Sequence, residues 1–233
     1  MQIQFVSSAD KSQILAVMVQ EGRHLVGLGS GLDAAASGAL AKAMSSGRFT
    51  GASASHLNVL APAGIDADAV LLVGAGAADK FDDLAVETYA GAAYAAVKLS
   101  GADTLTIDAT HLTPEQAARA AFAARLASYR FDKYLTKQKP EKVPSIKSVR
   151  IITENPVAAE AAFGPLSAVA DAVFFSRDLV SEPANILYPA EFARRVKELE
   201  KLGAKVEILG EAEMEKLGMG SLLGVGQGSV RES

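Results

Sequence analysis

The sequence has no cysteine and no tryptophan, and neither sign of charge is in large excess, with 23 Lys and Arg residues against 27 Asp and Glu residues. Without cysteine, the chain cannot form disulfides, thiolate zinc sites or cysteine nucleophiles. A formal net charge of −4 gives no basic field, which argues against nucleic acid as a partner. The most apolar stretch, Ala69 to Ala78, is shorter than the roughly 20 residues that a bilayer-spanning helix needs. The N-terminus has no secretory signal pattern, so we expect a cytoplasmic protein that does not enter a membrane.

Short apolar runs of strand length alternate with helical stretches along the chain. The hydrophobic share of 49% and the charged share of 21% are those of a globular protein. Continuous apolar runs are typical of strands that are covered on both faces, and their alternation with helices predicts an α/β fold with a mostly parallel sheet. The predicted strands cover residues 3–6, 14–19, 57–61, 70–73, 104–107, 149–152 and 205–209. A polar turn is predicted at 7–12, and the Gly-, Ala- and Ser-rich stretch 25–53 gives no clear prediction.

The predicted helices have recognisable ends. Thr113, Pro114 and Gln116 form a capping-box pattern before a helix that reaches about Ser128. Asn155 begins a long helix that ends before Pro183, and further helices are predicted from Pro189 to about residue 202 and over 211–217. A helix is also predicted over 79–100, with its buried stripe formed by Phe81, Leu84, Ala85, Thr88, Ala92, Ala95, Ala96 and Leu99.

Two segments are candidates for ligand binding. Gly74 and Gly76 follow a predicted strand and precede a helix, which is where a dinucleotide phosphate loop lies. However, Asp79 stands where the third glycine of that motif belongs, so a tight turn is the favoured interpretation. The basic segment from Arg130 to Arg150 could bind an anionic ligand, but a solvated loop is favoured because most runs of charge are solvated.

The remaining titratable residues form no recognisable catalytic or metal-binding pattern. The three histidines, His24, His56 and His111, lack metal-ligand spacing, and Ser8 and Lys11 match S-x-x-K without any supporting motif. Adjacent carboxylates on a helix diverge, so the pair at 82 and 83 cannot chelate one ion, and the glutamates at 211, 213 and 215 have the spacing of surface charge. The residues alone therefore predict no catalytic, cofactor-binding or metal-binding side chain.

The C-terminal third is more specific. The strings Ser176-Arg-Asp-Leu-Val-Ser-Glu-Pro-Ala-Asn185, Pro189-Ala-Glu-Phe192 and Glu213-Met-Glu-Lys-Leu-Gly-Met-Gly-Ser-Leu-Leu-Gly-Val-Gly-Gln-Gly-Ser229 resemble the leucyl aminopeptidase family of two-metal exopeptidases. The segment Tyr129-Arg-Phe-Asp-Lys-Tyr134 is similar to the end of that family's N-terminal domain. Two positions depart from the family pattern, because Ser181 stands where relatives often have Asn and Tyr188 where they often have Thr.

The resemblance implies a macro-domain-like N-terminal domain over residues 1–153, with a mostly parallel mixed sheet flanked by helices. Residues 154–233 would then be a linker helix and the truncated, incomplete α/β beginning of the metallopeptidase catalytic domain. Within the second region, we expect the Asn185 amide to satisfy helix-end backbone groups and the glycines of 218–228 to permit close backbone approach.

The same resemblance places the family's chemistry beyond this chain. The metal ligands, the catalytic Lys and the supporting Arg of the family lie downstream of Gly226-Gln-Gly-Ser229. We therefore expect the whole protein to remove N-terminal amino acids from peptides with two divalent ions (Mn or Zn), as a homo-oligomer that is hexameric in the family. This chain itself is expected to be inactive and to hold no metal. The alternatives are a nucleotide- or ADP-ribose-binding module near Gly74 and Gly76, or an oligomerisation or regulatory domain.

Overall fold

The computed structural model describes residues 1–8 and 11–231, and the chain divides into two compact units, Met1–Phe174 and Phe175–Ser233. Residues 9 and 10 of the predicted polar turn lie outside the described residues. The strands are β1 (Gln2–Val6), β2 (Ser12–Gln20), β3 (His24–Leu25), β4 (His56–Leu60), β5 (Ala67–Gly76), β6 (Thr104–Asp108) and β7 (Ser148–Ile152). The helices are α1 (Gly29–Ala35), α2 (Ala39–Ser45), α3 (Asp83–Val97), α4 (Pro114–Ala127), α5 (Pro156–Ser181), α6 (Pro189–Lys197), α7 (Glu211–Lys216) and α8 (Gly220–Gly226).

The first unit is built on one mixed sheet with the strand order β1-β7-β6-β2-β5-β4, and β3 pairs with β2 at the side of this path. The neighbouring strands β1, β7, β6, β2 and β5 are all parallel to one another. Strand β4 runs antiparallel to β5, and β3 runs antiparallel to β2. The predicted α/β fold with a mostly parallel sheet is therefore confirmed. The carboxyl ends of β2, β5, β6 and β7 lie at one edge of the sheet, where ligands bind in many folds of this kind.

The two faces of the sheet carry separate apolar layers. Alternate residues of β2 point to opposite faces, as the period of a strand requires. On one face, Ile14, Ala16 and Met18 pack with the buried residues of α3 and α4. On the other face, Leu15, Val17 and Val19 of β2 pack with the side chains of α2, Leu40 and Met44. The stretch 25–53, which gave no clear prediction, thus supplies the helices that cover this second face.

Helix α3 buries a different face from the predicted one. Leu84 and Leu99, which belong to the predicted stripe, are exposed by 67% and 52%. The buried face is instead formed by Val86, Tyr89, Ala90, Ala93, Tyr94 and Val97. Alanines occur on all sides of this helix, so apolar spacing did not distinguish the faces, and the position against the sheet decides which one is buried.

The starts of the helices follow local chemistry. The hydroxyl of Thr113 accepts a hydrogen bond from the backbone NH of Gln116, and the Gln116 side chain accepts one from the Thr113 NH, so the predicted capping box is present. The carboxylate of Asp82 caps α3 by accepting from the NH of Ala85 at 2.8 Å. The side chain of Asn155 likewise accepts from the NH of Ala158 at 3.1 Å at the start of α5.

Helix α5 is the one described helix whose length and composition would suffice to cross a membrane, with a mean hydropathy of 1.4 over 18 residues. The expectation, based on Ala69 to Ala78, that no apolar stretch is long enough to span a bilayer is therefore wrong by length and composition. A single helix of this kind is only a weak indication of a membrane span. Its first part packs within the first unit, since Phe163 contacts Phe5 with ring centroids 5.7 Å apart and Asp171 pairs with Arg125 of α4.

The second unit differs from the prediction at two places. Residues 205–209, predicted as a strand, are not part of a sheet in the described structure, because no other described segment pairs with them. Residues 220–226, for which no regular structure was predicted, form helix α8. Helix α7 agrees with the prediction and ends before Gly218, whose φ of +72° is the left-handed conformation that favours glycine at a helix end.

Candidate functional site

A buried carboxylate lies at the carboxyl end of β6. Asp108 is fully buried, and its Oδ2 accepts a hydrogen bond from the NH of Leu28 at 2.7 Å. Its Oδ1 accepts from the NH and the hydroxyl of Thr110 at 3.0 and 2.8 Å. Three donors thus replace the water that the carboxylate loses on burial. The side chain joins the Gly27–Leu28 segment to the loop that follows β6.

His111 lies beside Asp108 with one ring nitrogen unpaired. Its Nε2 is 3.2 Å from the sulfur of Met18, while its buried Nδ1 has no hydrogen-bond partner among the described residues. Burial lowers the pKa of His111, and the negative charge of Asp108 opposes this shift. The ring is therefore expected to be neutral at pH 7.

Gly27 fills the space in front of these two side chains. It has a φ of +61°, and a Cβ atom at this position would lie 2.3 Å from Oδ2 of Asp108 and 2.6 Å from Nδ1 of His111. The backbone thus approaches both side chains closely, which leaves no room for a ligand between them. Asp108, His111 and Gly27 form a packed structural cluster at the sheet edge.

The candidate phosphate loop at Gly74 and Gly76 is occupied by the chain itself. Gly74 and Gly76 lie within β5, and the segment 51–55 lies against them. The NH of Ala54 donates to the carbonyl of Gly74 at 3.0 Å, the NH of Gly74 to Ser55 at 2.7 Å, and the NH of Gly76 to Gly51 at 3.0 Å.

A Cβ atom on Gly74 would lie 2.0 Å from the carbonyl oxygen of Ala52, so glycine is required there by close backbone approach. Gly76 has a φ of +80°, in agreement with the favoured interpretation of a backbone that needs glycine. The space in which a nucleotide phosphate or ADP-ribose would bind is filled, and this structure does not favour the binding-module alternative.

The other titratable residues named in the sequence analysis are dispersed. His24 and His56 are exposed on β3 and β4, and Ser8 and Lys11 are also exposed. Asp82 caps α3, whereas Asp83 pairs with Arg119 at 2.9 Å, so the two carboxylates have separate structural roles.

In the second unit, the side chain of Glu213 accepts from the NH of Gly210 at the start of α7. Across residues 1–8 and 11–231, no group of three or more His, Asp or Glu side chains is placed to hold a metal ion. The described residues therefore do not fit a pair of divalent ions.

Two of the strings that carry the family resemblance are joined by an ion-pair network. Arg195 of α6 donates from Nε to Glu191 at 2.8 Å and from Nη1 to Glu182 at 3.2 Å. Arg194 also bonds Glu191, at 2.7 Å. Hydrogen bonds from Arg194 and Arg195 lower the pKa of Glu191 to about 2. These contacts link Glu182, which follows α5, to helix α6.

Two expected structural roles in the second unit are not found. The side chain of Asn185 is exposed and makes no hydrogen bond to another described residue; the turn is closed by the NH groups of Ile186 and Leu187, which donate to the carbonyl of Pro183. Gly220 and Gly224 have no neighbour within 4 Å of a Cβ position, so close backbone approach does not explain them here.

An apolar groove of about 540 Å³ lies within the second unit, between α6, the segment 206–209, α7 and α8. Phe192, Ile208, Leu222 and Val225 line it and are exposed by about half or more. Glu207 is the one charged residue among the described residues that line this groove. A surface of this kind is typical of a site that another polypeptide segment covers.

Comparison with known protein families gives two matches along the chain. Residues 16–138 match the N-terminal domain of the cytosol aminopeptidase family, and residues 174–233 match the catalytic domain of the same family. This chain belongs to the cytosol aminopeptidase family. The resemblance carried by the C-terminal third is thus confirmed.

Individual relatives agree with this assignment. A probable cytosol aminopeptidase of Caulobacter vibrioides is 54% identical over all of this chain and 48% of its own length. One of Sinorhizobium medicae is 46% identical over 82% of this chain and 40% of its own length. This aminopeptidase-family chain therefore spans about half the length of the curated relatives it matches.

Solved structures show the same fold. A mutant of tomato leucine aminopeptidase superimposes with a TM-score of 0.77 at 23% identity, over 94% of this chain and 46% of that one. The bottromycin maturation enzyme BotP in complex with Mn superimposes with a TM-score of 0.70 at 24% identity, over 95% of this chain and 43% of that one. At these identities the likeness concerns the fold.

Proposed function

We propose that this chain is part of a metal-dependent leucyl aminopeptidase that releases N-terminal amino acids from peptides, and that the 233 residues alone are inactive. The match of both regions to one aminopeptidase family supports the activity of the whole protein. The dispersion of the His, Asp and Glu side chains supports the inactivity of this part, because a two-metal hydrolase needs convergent ligands around its ions.

We further propose that residues 1–153 form the N-terminal domain and that residues 154–233 form the linker helix and the start of the catalytic domain. The two family matches, over 16–138 and 174–233, support this division. The exposed apolar groove of the second unit supports the proposal that further residues of the whole protein complete the catalytic domain. Two divalent ions, manganese or zinc, a cytoplasmic location and a homo-oligomeric, hexameric state belong to the same proposal.

The inactivity of the chain is tested by an assay with leucine p-nitroanilide and manganese. We expect that any release of p-nitroaniline does not rise with the concentration of the purified chain. A rate of hydrolysis that rises in proportion to the concentration of the chain and is abolished by a chelator would contradict the proposal, because the described residues contain no group of metal ligands.

The activity of the whole protein is tested by a chimaera. The 233 residues replace the aligned half of the Caulobacter vibrioides relative, to which they are 54% identical. We expect the chimaera to hydrolyse leucine p-nitroanilide only when a divalent metal is added. The unaltered relative, assayed under the same conditions, gives the reference rate. A chimaera that folds and oligomerises like the relative but has no activity would refute the assignment of these residues to an aminopeptidase.

A further inference from the structure

A cavity of about 300 Å³ lies in the first unit where helices α3 and α4 end. Its charged lining residues are Lys98 at the end of α3, Arg130 after α4, and Lys142 on the loop that precedes β7. No Asp or Glu is among the described residues that line it. The cavity thus concentrates positive charge in a chain whose net charge is −4, and it includes part of the basic segment singled out in the sequence.

Arg130 fixes the loop that borders the cavity, and its own charge is paired with a carboxylate. Its Nε pairs with Asp132 at 3.0 Å, its Nη1 donates to the backbone carbonyl of Lys142 at 3.0 Å, and its Nη2 donates to the side chain of Gln138. The guanidinium therefore holds the loop 132–142 against the end of α4. This contact fixes the backbone from which the Lys142 side chain extends.

Lys98 and Lys142 carry uncompensated charge. Within the part of the chain that the structure describes, neither ammonium group forms an ion pair or a side-chain hydrogen bond. Lys98 is half-buried, and the apolar residues Leu99 and Pro144 line the same cavity. Two positive charges on one small concave surface attract an anion more strongly than two separated surface lysines do.

Tyr94 adds a hydrogen-bond donor. The residue as a whole is 2% exposed, but its hydroxyl is not among the buried unpartnered atoms and has no hydrogen-bond partner among the described residues, so it lies at the cavity surface, where solvent reaches it. Tyr89, on the same helix, is buried and does have partners, as a buried tyrosine hydroxyl usually does. Burial raises the pKa of Tyr94, so its hydroxyl keeps its proton at neutral pH. A ligand in the cavity would accept a hydrogen bond from this hydroxyl in place of water.

We propose that this cavity binds the phosphate monoester of a small molecule, with Lys98 and Lys142 contacting the phosphate and Tyr94 donating a hydrogen bond to it. A phosphate monoester carries close to two negative charges at pH 7 and has three acceptor oxygens, which match two cations and one hydroxyl. The apolar walls at Leu99 and Pro144 contact the organic group. A volume of about 300 Å³ lies at the lower end of ligand pockets, which limits the ligand to a small molecule.

The test is calorimetric titration of the 233-residue chain with phenyl phosphate at low ionic strength, with inorganic phosphate and phenol as comparison ligands. We expect saturable one-to-one binding of phenyl phosphate, at least about fivefold tighter than that of inorganic phosphate, and no binding of phenol. Absence of saturable heat would overturn the site. Equal affinity for phenyl phosphate and inorganic phosphate would overturn the assignment to a monoester.

Variants locate the binding. Lys98→Gln and Lys142→Gln should each weaken the binding of phenyl phosphate by about tenfold, as expected when a charge-assisted contact is lost, and Tyr94→Phe should weaken it by about threefold. Lys80→Gln is the matched control, since it changes the net charge equally but lies outside the cavity. An equal loss of affinity in Lys80→Gln would show non-specific attraction and refute the proposal. The lysine variants change half-buried or exposed side chains, so they test the phosphate contacts independently of Tyr94.

Discussion

The hydroxyl of Tyr89 ties helix α3 to two strands, and its removal should destabilise the first unit. The fully buried hydroxyl contacts the backbone carbonyls of Ala16 in β2 and Asp108 in β6, at 3.1 and 3.2 Å. Tyr89→Phe keeps the ring and removes this donor, which leaves buried carbonyl groups with one partner fewer. From the net value of a hydrogen bond and the cost of an unpaired buried group, we expect a loss of about 1–2 kcal/mol in the free energy of unfolding, roughly 3–6 °C in Tm.

Tyr94→Phe is the matched control on the same helix. Tyr94 is also buried, but its hydroxyl has no hydrogen-bond partner among the described residues, so its removal should change the free energy of unfolding by less than about 0.5 kcal/mol. Urea unfolding followed by far-ultraviolet circular dichroism measures both variants without relying on tyrosine fluorescence. Equal losses in the two variants, or no loss in Tyr89→Phe, would refute the assignment of the hydroxyl contacts as a source of stability.

Four further substitutions test the sheet edge and helix α3. Because burial lowers the pKa of His111, the unfolded state binds a proton from about pH 6.5 downward, whereas the folded state does not. The free energy of unfolding should therefore fall as the pH drops from 6.5 until the lowered pKa is passed. Urea unfolding at several pH values should show a smaller fall in His111→Gln. Gly74→Ala should lower the free energy of unfolding by roughly 3 kcal/mol, because its Cβ would lie 2.0 Å from the oxygen of Ala52. Gly91→Ala lies inside α3 with nothing within 4 Å of its Cβ, and it should raise the free energy of unfolding by about 0.5–1 kcal/mol. Thermal unfolding measures both variants. Asp82→Ala removes the cap of α3 and should cost about 1 kcal/mol; an unchanged Tm would contradict the capping role.

The elements set by local chemistry could be predicted from the sequence. The capping box at Thr113 and Gln116 involves residues that are three apart, so the sequence pattern by itself specifies both hydrogen bonds. The continuous apolar runs of β2 and β5 predicted strands covered on both faces, and both strands are buried between two apolar layers. In these cases, neighbouring residues are sufficient to specify the conformation.

Several of the wrong predictions depend on residues that are distant in the sequence. The buried face of α3 is decided by its packing on the sheet, so the exposed Leu84 and the buried Tyr89 could not be distinguished by apolar spacing. Residues 205–209 have the alternation of a strand, but a strand also needs a partner, and no described segment supplies one. Asn185 and the glycines of α8 were assigned to backbone contacts that the described unit does not contain.

The candidate site illustrates the same limit. Gly74 and Gly76 have the placement of a phosphate loop, and nothing near them in the sequence reveals that residues 51–55 occupy the space. The position of Asp79 was the available local sign against a nucleotide. The cluster of Asp108 and His111 with Gly27 was equally unpredictable, because about 80 residues separate its parts.

The segment 51–55 has a consequence for any attempt to place a ligand at this end of the sheet. Its backbone is covalently attached to the strands it contacts, so it competes with an incoming molecule as an intramolecular ligand at a high effective concentration. A ligand would have to break the hydrogen bonds of Ala54, Gly74 and Gly76 before making its own. Screening against this edge should therefore begin with a variant in which the segment has been shortened.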